Sequence, residues 1–75
     1  MKLYGYANGD VSQKVLELDS VAICFESPEE ARGFAKFAQS CAEDMRRSGD
    51  DYDHEHFAGG EVPDITIERL LDANR

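Results

Sequence analysis

Apolar and polar positions alternate at the start of the chain. In KLYGYA, Leu3 and Gly5 point to one face of an extended backbone, and Tyr4 and Tyr6 point to the other. The NGD that follows favours a turn, because Asn and Gly tolerate positive φ angles. We therefore expect a first strand that ends in a hairpin link longer than two residues.

The next apolar run, KVLELDSVAICF, changes phase partway along. Leu16 and Leu18 share one face, and after a shift in the alternation Val21, Ile23 and Phe25 share one too. A strict period of two cannot turn both sets inward, so a bulge or tight turn is expected between them. The run predicts either two short strands or one long, bent strand.

The stretch SPEEARGFAKFAQSCAEDMRR predicts an amphipathic helix. Ser27 suits the N-cap, Pro28 the first helical position, and Glu30 completes a capping box with Ser27. Gly49 follows as a left-handed cap. Apolar residues recur at steps of three and four and form one stripe: Ala31, Phe34, Ala35, Ala38, Cys41, Ala42 and Met45.

The end of the chain has two interpretations. DITIERLL predicts a final strand with Ile65 and Ile67 facing inward, whereas TIERLLDANR also suits a short helix. Residues 64–73 could thus be strand, helix or both.

The order of these elements predicts a single α+β domain over residues 1–75. We expect a small, mainly antiparallel sheet of three to four strands, with one amphipathic helix packed on one face. The other face would carry Tyr4 and Tyr6, which could serve a homodimer or another partner. Half-exposed tyrosines are also common on antiparallel sheets without either role.

Composition narrows the class of partner. The 75 residues are 41% hydrophobic and 32% charged, as in folded proteins, and the net charge is −8. Because nucleic acid is a polyanion, this charge argues against nucleic-acid binding and favours a basic protein partner. The simpler alternative is that the acidity only keeps the chain soluble.

The sequence also predicts a cytoplasmic protein that is not bound to a membrane. Met1 leads into LYGYANGD and not into an apolar signal segment, and no run is long enough to span a bilayer. Cys24 and Cys41 lack zinc-site spacing, so we expect two reduced, buried or half-buried thiols.

The segment DDYDHEHF, Asp50–Phe57, concentrates the candidate chemistry and is called here the acidic-histidine segment. On an extended backbone His54 and His56 point the same way and could both bind one metal ion. A neighbouring aspartate could add a carboxylate ligand. A short H-x-H is a weak signal alone, and neither cysteine is placed to help.

Catalysis has less support. A histidine beside carboxylates can be tuned toward neutral pH, but a reaction also needs a pocket and a nucleophile or oxyanion site. Ser20, Ser27 and Ser48 fall at predicted turns or caps, and Gly59-Gly60 lacks the lysine of a phosphate loop. We therefore expect no enzyme activity and no cofactor.

Two interpretations of the segment do not require chemistry. In the first, it is a solvated loop that Tyr52 and Phe57 anchor to the core. In the second, it is an ordered acidic surface that meets a basic protein. The candidate partner-binding residues are then Asp50, Asp51, Tyr52, Asp53, His54, Glu55, His56 and Phe57.

The chain resembles a known family in several stretches. The start MKLYGYA, the bent apolar run, and SPEEARGFAKFAQSCAEDM followed by HEHF resemble the Immunity protein 32 family of bacterial polymorphic-toxin systems. The resemblance runs from Met1 to about Ile67, and SPEE and HEHF are its most specific parts. It implies a small α+β protein that binds and neutralises a cognate toxin, which occlusion and complementary charge can do without turnover.

Overall fold

The computed structural model describes residues 1–9, 11–12, 14–57 and 63–70. One helix and four short strands are present within these ranges, and a single 3₁₀ turn follows the helix. In chain order the elements are β1 (Leu3–Gly5), β2 (Leu16–Leu18), α1 (Pro28–Ser48), the 3₁₀ turn (Gly49–Asp51), β3 (His54–His56) and β4 (Thr66–Glu68).

The strands form two separate antiparallel sheets of two strands each. In the first, Leu3 lies opposite Leu18 and Tyr4 lies opposite Glu17. In the second, β3 pairs with β4. The α+β class is therefore confirmed, whereas a single sheet of three to four strands is not seen in the described residues.

The second half of the apolar run forms no strand in the structure. Residues 21–25 have no regular secondary structure, and Val21 and Ile23 are 54% and 44% exposed. A strand needs a partner to satisfy its backbone groups, and β2 already pairs with β1 and ends at Leu18. Of the two shapes expected here, only one short strand is formed.

The helix agrees closely with its predicted start and end. The Glu30 backbone N–H donates to Ser27 Oγ at 3.1 Å, and Pro28 is the first helical residue. The Glu30 carboxylate accepts from the backbone N–H of Glu26 at 2.8 Å, one residue before the N-cap. Gly49 ends the helix with a φ of 57°, a conformation that favours glycine.

The core is thin and largely aromatic. Cys41, at 1% exposure, is the only fully buried residue in the described part of the chain. Around α1 the half-buried phenylalanines form a chain of ring contacts, with Phe34 5.7 Å from Phe25 and 5.3 Å from Phe57 between centroids. Phe37 also lies 5.3 Å from Phe57. These contacts hold the end of β3 against the helix.

The second sheet includes one strand that the sequence pattern predicted and one that it did not. β4 lies within the predicted final strand, and the described residues 64–70 contain no helix. The part of the helical alternative over residues 71–73 falls outside the described residues. β3, by contrast, lies inside the acidic-histidine segment, where no strand was predicted.

Two further observations concern the thiols and membranes. Both cysteines are free, and Cys24 is exposed, so the expectation that both thiols are buried or half-buried was wrong for Cys24. Residue 24 lies in the irregular segment after β2, where no described strand covers it. No helix in the described ranges has the length and apolar character to cross a membrane.

Candidate functional site

The side chains of the acidic-histidine segment alternate between two sides of β3, one facing the helix and one facing solvent. Directly opposite residues of an antiparallel pair share a face, so His54 faces outward with Glu68, and Glu55 faces the helix with Ile67. The half-buried, inward residues are Tyr52, Glu55 and Phe57. The exposed residues are Asp50, Asp51, Asp53, His54 and His56.

The inward side contains a polar cluster around the helix. Tyr52 Oη donates to Glu55 Oε2 at 2.7 Å, and both side chains are close enough to the Cys41 thiol to affect its pKa. Burial, and then the hydrogen bond to Glu55, raise the pKa of Tyr52 well above its usual range. Burial also raises the pKa of Cys41. The three side chains tie α1 to the 3₁₀ turn and to β3.

The outward side of the β3–β4 sheet is polar and is called here the histidine face. It consists of His54, His56, Asp64, Thr66 and Glu68. His56 Nδ1 lies 2.9 and 3.2 Å from the two carboxylate oxygens of Asp64 and 3.1 Å from Thr66 Oγ1. The rings of His54 and His56 are 5.0 Å apart at their centroids and nearly perpendicular.

His54 has its own carboxylate partner. Its Nδ1 lies 2.9 Å from Asp53 Oδ1. The hydrogen bond to Asp53 and the charge of Asp53 raise the pKa of His54, burial opposes them, and the charges of Glu68 and Asp64 add smaller increases. The exposed imidazole is therefore easier to protonate than an isolated histidine.

The acidic turn after the helix faces solvent. Asp51 and Asp53 are exposed, and Asp50 lies 3.9 Å from Arg69. The two arginines at the end of α1 pair with acids on their own helix, Arg46 with Glu43 at 3.0 Å and Arg47 with Asp44. The surface around the turn is consequently negative.

The predicted tyrosine face lies on the other sheet. Tyr4 and Tyr6 are 54% and 66% exposed. A groove of about 1170 Å³ separates this sheet from β4, and both Tyr4 and Glu68 line it. Tyr4 and Tyr6 thus line one groove with Asp64, Thr66 and Glu68 of the histidine face, whereas His54 and His56 do not line it.

The candidate metal ligands on the histidine face are the two imidazoles of His54 and His56. Within the described ranges, no group of three or more His, Cys, Asp or Glu side chains is arranged to hold a metal ion. The structure does bring His54 and His56 together on one face, as their spacing indicated.

Two features of the site were not foreseen. Asp64, the partner of His56, is eight residues away in sequence and reaches it only through the β3–β4 pairing. The cluster of Cys41, Tyr52 and Glu55 also depends on contacts between elements. The one usable signal was Cys41 on the apolar stripe of the helix, which indicated burial but not its polar partners.

Comparison with known proteins finds no match to this chain. No protein-family model, no curated protein and no solved structure matches the chain. The resemblance to the Immunity protein 32 family stays a prediction from the residues.

Proposed function

We propose that the protein is a non-enzymatic, immunity-type protein that binds and neutralises a basic toxin domain in the bacterial cytoplasm. The observation that carries this proposal is the outward, negative surface formed by the exposed acids of the acidic-histidine segment. It agrees with the family resemblance, in which inhibition requires occlusion of the toxin.

Charge gives this surface its partner preference. The chain has 16 acidic and 8 basic residues, and Arg46 and Arg47 near the turn are already paired. A negative patch attracts a basic partner and speeds its association, over a range set by the screening length of about 8 Å at physiological salt. A toxin with a basic substrate groove, such as a nuclease, suits such a surface.

The inward side chains support the same role. Tyr52, Glu55 and Phe57 hold the segment against the helix while the aspartates beside them face solvent. A surface that is already ordered loses less conformational entropy on binding than a mobile loop does. In this proposal Tyr52, Glu55 and Phe57 position the binding surface, and the exposed residues make the contacts.

The test is binding to a candidate basic toxin domain encoded by a neighbouring gene. The combined change Asp50, Asp51 and Asp53→Asn should weaken binding at least tenfold, about 1.4 kcal/mol, and reduce its salt dependence. The control is Asp19→Asn, Glu26→Gln and Glu29→Gln, which removes the same charge from exposed positions elsewhere. Equal affinities for the two triple variants would remove the acidic segment from the mechanism. Failure to protect cells from that toxin would contradict the immunity role.

A second candidate is a homodimer formed through the tyrosine face. Tyr4 and Tyr6 are 54% and 66% exposed on this face. Tyrosine is enriched at protein–protein interfaces, and a dimer through this face would cover the exposed pair. Light scattering of wild type and of Tyr4→Ser, Tyr6→Ser tests this: a dimer that dissociates in the variant supports it, and a monomeric wild type excludes it.

A further inference from the structure

We propose that His54 and His56 form a binding site for a late first-row divalent transition metal, with Cu²⁺ preferred over Ni²⁺ and Zn²⁺. The site shares His54, His56 and Asp53 with the proposed toxin-binding surface, but metal binding to it can be measured without toxin.

The hydrogen bonds fix which ring nitrogens can bind a metal. An ionised carboxylate only accepts hydrogen bonds, so Nδ1 of each histidine must donate, His54 to Asp53 and His56 to Asp64. In the neutral ring the lone pair is then on Nε2. Both histidines therefore present Nε2, the usual metal-binding atom, away from the backbone.

The spacing of the rings suits two ligands on one ion. With metal–nitrogen bonds of about 2.1 Å, a ring centroid lies about 3.2 Å from the ion, and two ligands at right or tetrahedral angles have centroids about 4.5 to 5.2 Å apart. The observed separation is 5.0 Å. Positions i and i+2 of β3 hold both rings on one face, and rotation of the side chains can turn both Nε2 atoms toward one ion.

The surroundings favour a cation. Histidine ligands in metal sites commonly donate their second nitrogen to a carboxylate, which orients the ring and makes it more basic. Here both rings have such a partner, and Glu68 lies directly opposite His54 across the sheet. The negative charge of Asp53, Asp64 and Glu68 compensates part of the charge of the ion.

The ligand type determines the class of metal. Imidazole suits copper, nickel and zinc, and affinity follows the order Cu²⁺ above Ni²⁺ and Zn²⁺ when geometry imposes no other choice. Two imidazoles leave coordination positions for water, so the site resembles an open site more than a closed structural one.

The test is titration calorimetry with Ni²⁺ on untagged protein in a Cys24→Ser background, because the exposed Cys24 thiol is a competing ligand. We expect one site per chain, and at least a tenfold loss of affinity in His54→Ala and in His56→Ala. The control Asp51→Asn removes a nearby charge without touching either ring. Unchanged binding in the double histidine variant, or an equal loss in Asp51→Asn, would overturn the proposal.

A second test combines NMR of the wild-type protein with a variant of the carboxylate that orients His56. The chain has two histidines, so substoichiometric Cu²⁺ should selectively broaden the NMR ring signals of both. Asp64→Asn, which removes the partner of His56, should weaken Ni²⁺ binding more than Asp51→Asn does. Uniform broadening over the acidic surface, with equal effects of the two Asn changes, would indicate loose attraction to the acids and contradict a histidine site. Toxin is absent from every measurement, so the outcome is separate from that of the immunity proposal.

Discussion

Tyr52 donates a hydrogen bond to Glu55 Oε2 at 2.7 Å, and both residues lie beside the buried Cys41 thiol. This contact turns part of an otherwise acidic segment toward the helix. A carboxylate on the inner side of a strand requires such donors, because burying its charge without them costs free energy.

Removing the Tyr52 hydroxyl should therefore destabilise the fold. In Tyr52→Phe the half-buried Glu55 carboxylate loses a donor, and we expect the free energy of unfolding to fall by about 1–3 kcal/mol. Urea denaturation measures the change. The matched control is Tyr4→Phe, whose hydroxyl is on an exposed side chain and whose effect should stay within about 0.5 kcal/mol. Equal effects of the two changes would contradict a structural role for the cluster.

The two thiols should differ in reactivity. Cys24 is exposed, whereas Cys41 is buried and has a raised pKa, so less thiolate is present to react. With a disulfide reagent at neutral pH we expect one fast-reacting thiol per native chain and two in urea. Cys24→Ser should abolish the fast phase. A fast phase that survives this change would show that Cys41 is accessible.

Stability should decrease in alkaline solution. The folded-state pKa values of Cys41 and Tyr52 lie above their ordinary values of 9.0 and 10.0. The unfolded chain therefore loses these protons first, and the stability contributed below about pH 9 is lost as the pH rises. Urea midpoints at increasing pH should fall for wild type, with a smaller fall above about pH 10 in Tyr52→Phe. If the urea midpoints of the two proteins fell in parallel, Tyr52 would not be a source of the alkaline loss of stability.

His54 should titrate above the ordinary histidine value of 6.5 in metal-free protein. NMR titration with a chelator present should show this, and Asp53→Asn should bring the pKa down. Because the folded-state pKa is raised, protonation of His54 favours the folded state below about pH 6.5 and this contribution disappears as the pH rises through the folded value. Asp51→Asn serves as the control. A similar decrease of the His54 pKa in both variants would mean that the pKa is raised by the overall negative charge and not by the contact with Asp53.

The helix could be predicted well because its signals are local. Ser27, Pro28 and Gly49 act through contacts within a few residues, and the structure keeps all three in their expected roles. The first strand and the final strand were predicted from alternation in the same way. Tyr52 and Phe57 also lie half-buried, as the anchored-loop interpretation required.

The strand β3 could not be read from local pattern. His54, Glu55 and His56 are all polar, so alternation gives no apolar face, and the strand exists through its pairing with β4. For the segment that contains Val21 and Ile23 the opposite error occurred. Its apolar alternation predicted a strand, but the described residues supply no strand for it to pair with. In both places long-range pairing decided the structure.

A thin core, with one fully buried residue among those that the structure describes, also makes the chain a sensitive reporter of what it binds. A domain this small gains about 3–5 kcal/mol from its core, and a ligand present at a hundred times its Kd adds about 2.7 kcal/mol. Engagement of a true partner should thus raise the melting temperature by many degrees, so thermal shift against candidate toxins or metal ions can identify the ligand directly.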